Sequence, residues 1–145
     1  MVSLEDFGLK LHLLSRLLRR EIDVVLEPHG LSEASFLPVR YLARFGEGLR
    51  QVELAEAMGI EGPTLVRVLD QLVAAGLVER IDDATDRRAK RVHLTQRGET
   101  FHRDFQETLQ ERRRALFDGA SDDDIAAALR VFDVLEARLR ESRAS

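Results

Sequence analysis

A chain of 145 residues, 44% hydrophobic and 33% charged, has the makeup of one globular domain, which excludes an intrinsically disordered chain. No apolar run approaches the roughly 20 residues that cross a bilayer, and the absence of cysteine excludes disulfide scaffolds, thiol redox sensors and thiolate zinc sites. The formal net charge of −4 argues against a general polycation, yet Arg87, Arg88, Lys90, Arg91 and Arg97 follow one another with no acid among them. A strip of that kind can hold a polyanion whatever the sum of charges. The opening MVSLEDFGLK carries acids where a secretory leader needs a basic patch, so a cytoplasmic protein that engages no membrane is expected.

The first element runs from about Ser3 to Glu27. Leu4, Phe7, Leu11, Leu14, Leu18, Ile22 and Val25 recur at spacings of three and four, the stripe of an amphipathic helix. Leu9, Leu13 and Leu17 widen that stripe beyond what a small monomer would bury. Pro28 and Gly30 end the helix, and Ser32 caps a second one. In it Phe36, Leu37, Val39, Tyr41, Leu42 and Phe45 are expected mostly to face a core, while Pro38 gives up a backbone bond in the second turn. Gly46 and Gly48 terminate it.

A short helix, Gln51 to Met58, is followed by the turn Gly59-Ile60-Glu61-Gly62 and by a helix from Pro63 to about Ala75, stopped at Gly76. Leu77 to Ile81 and Arg91 to Leu94 suit two strands. The polar residues Asp82 to Lys90 join them in a loop too long for a tight turn. Thr95 caps a fifth helix with Phe101, Phe105, Leu109 and Leu116 as its buried stripe. Asp118-Gly119-Ala120 breaks that helix. Ser121 and Asp124 form a capping box for a sixth, in which Ile125, Leu129, Phe132, Leu135 and Leu139 are expected to face inward. The predicted fold class is mainly α with a small β-hairpin.

The middle of the chain carries the functional signal. Two short helices packed at a steep angle need a small residue at the crossing and a turn residue free to take positive φ. Ala55 and Gly59 supply them, with Leu54, Met58, Ile60, Leu65, Val68 and Leu69 to lock the pair. The outer face is then left to Gly62, Pro63, Thr64, Arg67, Asp70 and Gln71. An ordinary helical hairpin would share that much; two strands and a basic loop directly after it make a winged helix-turn-helix. In such a loop Arg87 and Arg88 can meet phosphate, and an arginine at the tip can enter an A·T-rich minor groove. Asp86 is placed to steer Arg88 through a charge-assisted bond.

The segments IEGPTLVRVLDQLVAAGLVER and DDATDRRAKRVHLTQRGE resemble the MarR family of bacterial regulators, with LVRVLDQL and DRRAKR most similar to its SlyA-like branch. The order of six helices and a hairpin fits over nearly the whole chain. The resemblance implies a homodimer built by residues 1–30 and 99–145 and a DNA-binding winged helix-turn-helix over residues 31–98. It implies a recognition helix from about Gly62 to Ala75, with contacts from Pro63, Thr64 and Arg67, and a wing from about Asp82 to Arg91 whose Arg88 reads a minor groove beside Asp86. The candidate DNA-contact set is therefore Pro63, Thr64, Arg67, Gln71, Asp86, Arg87, Arg88 and Lys90. The expected target is a near-palindromic A·T-rich operator in double-stranded DNA at the bacterial nucleoid. Gly62 departs from a glutamine frequent in the branch, and Phe36 from a frequent tryptophan.

The resemblance also implies modulation by a small aromatic carboxylate; His12, Arg16 and Arg40 near Phe7, Phe36 and Tyr41 give it circumstantial cationic and aromatic partners. No cofactor and no metal are expected. His12, His29, His93 and His102 stand apart without catalytic spacing, which argues against an enzyme. His102, Asp104 and Glu107 do not share one helix face. Arg112, Arg113 and Arg114 suit a solvated helix face better than a second nucleic-acid site. A helical interaction module that binds no DNA is the rival class.

Overall fold

A computed structural model describes every residue except Val2, Glu47 and Ser145. The chain divides into two compact units, Met1–Leu109 and Gln110–Ser145.

In the first unit, α1 (Leu4–Leu26) starts at Ser3, whose hydroxyl accepts the Asp6 N–H at 3.1 Å. It gives way to a short 3-10 turn, Glu27–His29, that begins around Pro28 and closes on Gly30 at φ 70°. Only the C-terminal end of α1 meets the core, with Leu26 buried and Ile22 and Val25 packed against it. Leu4, Leu11, Leu14 and Leu18 are exposed, as are Leu9, Leu13 and Leu17. The stripe read from the sequence is real, and most of its residues remain exposed.

Helix α2 (Glu33–Phe45) opens on a reciprocal capping box. Ser35 N–H donates to Ser32 Oγ at 3.2 Å and Ser32 N–H to Ser35 Oγ at 2.8 Å. Phe36, Pro38, Val39 and Leu42 are buried. Phe45 is not: it ends the helix, exposed, with its ring 5.5 Å from that of Tyr41.

After β1 (Leu49–Arg50) come α3 (Gln51–Met58) and α4 (Gly62–Ala74), then β2 (Val78–Asp82), β3 (Lys90–Leu94) and α5 (Gln96–Leu116). The strands form one antiparallel sheet in the order β1-β3-β2, with Leu49 opposite Val92 and Val78 opposite Leu94. The sequence reading had the hairpin but missed β1, two residues whose pairing is non-local.

Thr95 caps α5, accepting the Gly98 N–H at 3.0 Å while its hydroxyl donates to the Gly76 carbonyl. Gly98 is buried so close to the turn leading into β2 that a Cβ there would lie 2.0 Å from the Leu77 carbonyl oxygen. Phe101 and Phe105 set their rings edge-on to Phe36, at 5.4 and 4.8 Å. Leu109 closes the core, which also holds Leu42, Leu54, Leu65, Leu69, Leu72, Val78 and Val92.

The second unit holds the end of α5 and α6 (Asp122–Ala144). The predicted capping box is present: Asp124 N–H donates to Ser121 Oγ at 3.1 Å, and that hydroxyl donates to Asp124 Oδ2 at 2.6 Å. The Ser121 hydroxyl, and after it the Ser121 N–H at 3.4 Å, hold the Asp124 carboxyl below its usual range. Asp122, Asp123 and Asp124 occupy the first turn, where the helix dipole favours negative charge. Of the residues expected to face inward, Ile125 is half-buried, whereas Leu129, Phe132, Leu135 and Leu139 are exposed, as is Leu116 of α5. Among the described residues no helix is long and apolar enough to cross a membrane.

Candidate nucleic-acid interface

Helices α3 and α4 form the predicted helix-turn-helix. Ala55 is buried at the crossing, between Leu54 of α3 and Leu65 and Leu69 of α4, with Met58, Ile60 and Val68 packed around them. Gly59 sits at φ 66°, where a side chain would be strained. Its N–H bonds the Glu56 carbonyl at 3.1 Å and the Ile60 N–H reaches back to the Ala55 carbonyl, closing α3 on a left-handed residue. Burying Leu65, Leu69 and Leu72 turns the opposite face of α4 outward. Gly62, Pro63, Thr64, Arg67, Asp70 and Gln71 are all exposed. The N-cap of α4, Glu61, makes no capping bond through its side chain and no acid lies in the first turn itself, so the N–H groups and positive dipole there suit an anion.

The wing is built around an acid the sequence reading passed over. The Asp83 side chain is 1% exposed. Its Oδ1 accepts the Thr85 N–H at 2.9 Å, the Thr85 hydroxyl at 2.7 Å and the Asp86 N–H at 3.2 Å. Its Oδ2 accepts Arg50 Nε at 3.0 Å and pairs with Arg91 Nε at 2.8 Å. The Thr85 backbone and hydroxyl bonds, helped by Arg50 and the Asp86 N–H, hold this carboxyl far below the usual carboxylate range against the opposing pull of burial. Ala89 N–H to the Asp86 carbonyl and Asp83 N–H to the Ala89 carbonyl, at 3.0 and 3.1 Å, close the loop. From it Arg88 projects with its side chain 93% exposed, while Asp86 Oδ1 accepts the Arg88 N–H at 3.0 Å and Nε at 3.4 Å. The bond inferred between these two residues is present.

A sequence profile described as the MarR family matches residues 29–89. The transcriptional regulator PA3341 is 37% identical, with a TM-score of 0.83 over 93% of this chain and 98% of that one. A MarR transcriptional regulator from Methanosarcina mazei Go1 is 28% identical, with a TM-score of 0.84 over 93% of this chain and 99% of that one. The chain belongs to the MarR family. It is a MarR-type transcription regulator rather than an enzyme. A cysteine-to-serine mutant of MarR from E. coli, complexed with operator DNA, shares the fold at 24% identity, with a TM-score of 0.79 over 90% of this chain and 93% of that one.

Within this MarR-family chain, Pro63, Thr64, Arg67 and Gln71 share the outer face of α4, while Asp86, Arg87 and Arg88 share the wing loop. The bounds of the loop need a correction: Lys90 opens β3 opposite Asp82 and is ion-paired with it, so the free loop spans 83–89 rather than 82–90. Two arginines were missed. Arg50 and Arg80 each lie far along the chain from the acids they serve, Asp83 and Asp70. The doublet Asp82-Asp83 before a basic loop was the available signal: Asp82 ends β2 exposed, and Asp83, just beyond the strand, is buried.

Of the residues weighed for an aromatic acid, Phe36 is fully buried and Arg40 lies 3.8 Å from Glu33. A small open pocket of about 120 Å³ lies among Val25, His29, Phe101, Asp104, Phe105 and Thr108. His102 packs beside Phe36 with Nε2 3.1 Å from the Gln106 amide; burial, then the Arg40 charge, pushes its pKa down. Among the described residues no cluster of three metal-ligating side chains occurs.

Proposed function

We propose that the chain binds double-stranded DNA as a homodimer, with α4 in a major groove and the wing in the flanking minor groove. The observation that carries this reading is Arg88, an arginine 93% exposed at the end of a loop pinned by Asp83 and steered by Asp86. At that exposure its ion pair adds little to folding, whereas a narrow A·T-rich groove attracts an inserted guanidinium. Pro63, Thr64, Arg67 and Gln71 face base edges and phosphates, and Arg67 can fork onto a guanine or a phosphate. Arg87 adds phosphate contact; Lys90 adds less, because Asp82 already holds it. The operator complex of E. coli MarR supports the reading by likeness of fold.

The dimer rests on two exposed apolar stripes, on α1 and on α6, and on the family resemblance. Residues 1–30 and 99–145 build the dimer and residues 31–98 carry the DNA contact. The motifs LVRVLDQL and DRRAKR favour the SlyA-like branch, cytoplasmic action on the nucleoid and release by small aromatic acids such as salicylate. That release is tested by adding millimolar salicylate to the bound complex, where unchanged affinity and melting temperature exclude it. The whole reading is tested by a mobility-shift titration with genomic fragments over a salt series. Two protomers per duplex and a steep loss of affinity with salt are expected. No shift even at low salt leaves the helical interaction module in its place.

A further inference from the structure

Arg80 of β2 reaches across to the recognition helix. Its Nη2 donates to the Val66 carbonyl at 3.0 Å and lies 2.7 Å from Asp70 Oδ1. Those two acceptors sit one helical turn apart and bracket Arg67 along the chain. A mid-helix carbonyl is already spent on the N–H four residues on, so Arg80 takes its second lone pair. The arginine side chain is only 24% exposed, and its Nε is buried without a partner among the described residues. That orphaned donor is costly, and the Nη2 contacts are what offset it.

The apolar contacts of Leu65, Leu69 and Leu72 hold α4 against the core, but such contacts are non-directional. A charge-assisted bond with fixed geometry resists rotation of the helix about its own axis. The strand bearing Arg80 runs on through Asp82 into the loop held by Asp83. Recognition helix and wing therefore hang from one strand. Asp70, 61% exposed on the outer face beside Arg67, is a poor neighbour for phosphate unless a cation answers it.

We propose that Arg80 is a positioning residue for DNA readout: with Asp70 and the Val66 carbonyl it fixes the rotational setting of α4 that aims Arg67 and Thr64. This rests on the DNA-binding reading above and adds to it a role for an acid that would otherwise only repel the ligand. The two roles of Asp70 predict opposite signs. If it merely repels phosphate, Asp70→Asn tightens binding to every duplex equally. If it tethers Arg80, Asp70→Asn tightens binding to arbitrary sequence while loosening the preferred one.

The test uses the full chain and two 30-base-pair probes: the duplex that the parent protein selects most strongly from a random pool, and a scrambled duplex of the same composition. Asp70 is exposed, so Asp70→Asn folds; Arg80→Gln and the double variant complete a cycle, with melting temperature as a check on folding. The ratio of affinities for selected over scrambled duplex falls about tenfold in Asp70→Asn and no further in the double variant, as expected for partners in one network. In the DNA-free protein, amide exchange around Arg67 speeds up in both single variants. An unchanged ratio, with both duplexes bound tighter, overturns the positioning role and leaves DNA binding intact. A parent that selects no duplex overturns the DNA reading, and the inference with it.

Discussion

Asp83 shows how much of a wing can depend on one carboxylate. It is neither at the tip nor basic, yet it receives two loop amides, a hydroxyl and two guanidinium groups. Because its folded pKa is depressed, its stabilising contribution is present above the ordinary carboxylate value of 3.8 and is lost as pH falls below it. Asp83→Asn forfeits that contribution at neutral pH as well. A lower melting temperature at pH 7, with a flatter acid limb than the parent's, is expected by differential scanning fluorimetry. Arg67→Ala should leave folding unchanged and cost about 1–3 kcal/mol of binding per half-site, measured by fluorescence anisotropy. Little of this was legible in the sequence. The exposed Arg67 and Arg88 follow from position within a motif, whereas the partners of Asp83 include Arg50, 33 residues away, a distance no local pattern spans.

Elements were legible where their signals are local. Ser32, Gly59, Thr95 and Ser121 sit at helix ends, and each makes the bonds that its residue type and position suggest. Strand β1 escaped because two residues carry no period, and Gly98 because it resembles an ordinary polar first turn. Its function is steric: α5 docks with backbone against the Leu77 carbonyl. Gly98→Ala places a methyl where the structure leaves 2.0 Å, and such overpacking destabilises by about 1–3 kcal/mol or more; chemical denaturation should show a lowered midpoint. His102 acts on the same helix. Burial depresses its pKa, so its contribution to stability is complete above its ordinary value of 6.5 and declines as pH falls below it. The parent should lose stability between pH 6.5 and 5 more steeply than His102→Gln, as read from melting curves. Equal slopes would remove His102 from the account.

For the molecule as a whole, a net charge of −4 and a DNA ligand are reconciled by distribution, since the exposed cations Arg67, Arg87 and Arg88 sit on one helix face and one loop. The apolar stripes of α1 and α6 make the matching case for self-association. Sedimentation at micromolar concentration should give twice the 16.5 kDa chain mass; a monomer that still binds DNA tightly would contradict the dimer. Two protomers present two wings, so each wing loss is doubled. The most direct test titrates the parent and Arg88→Ala across a salt series, on duplexes with A·T-rich and G·C-rich flanks. The account predicts that Arg88→Ala weakens binding most on A·T flanks and shallows the salt dependence by about one unit of slope per wing. If Arg88→Ala binds like the parent on both flanks, the loop is only a solvated turn and the minor-groove reading is wrong.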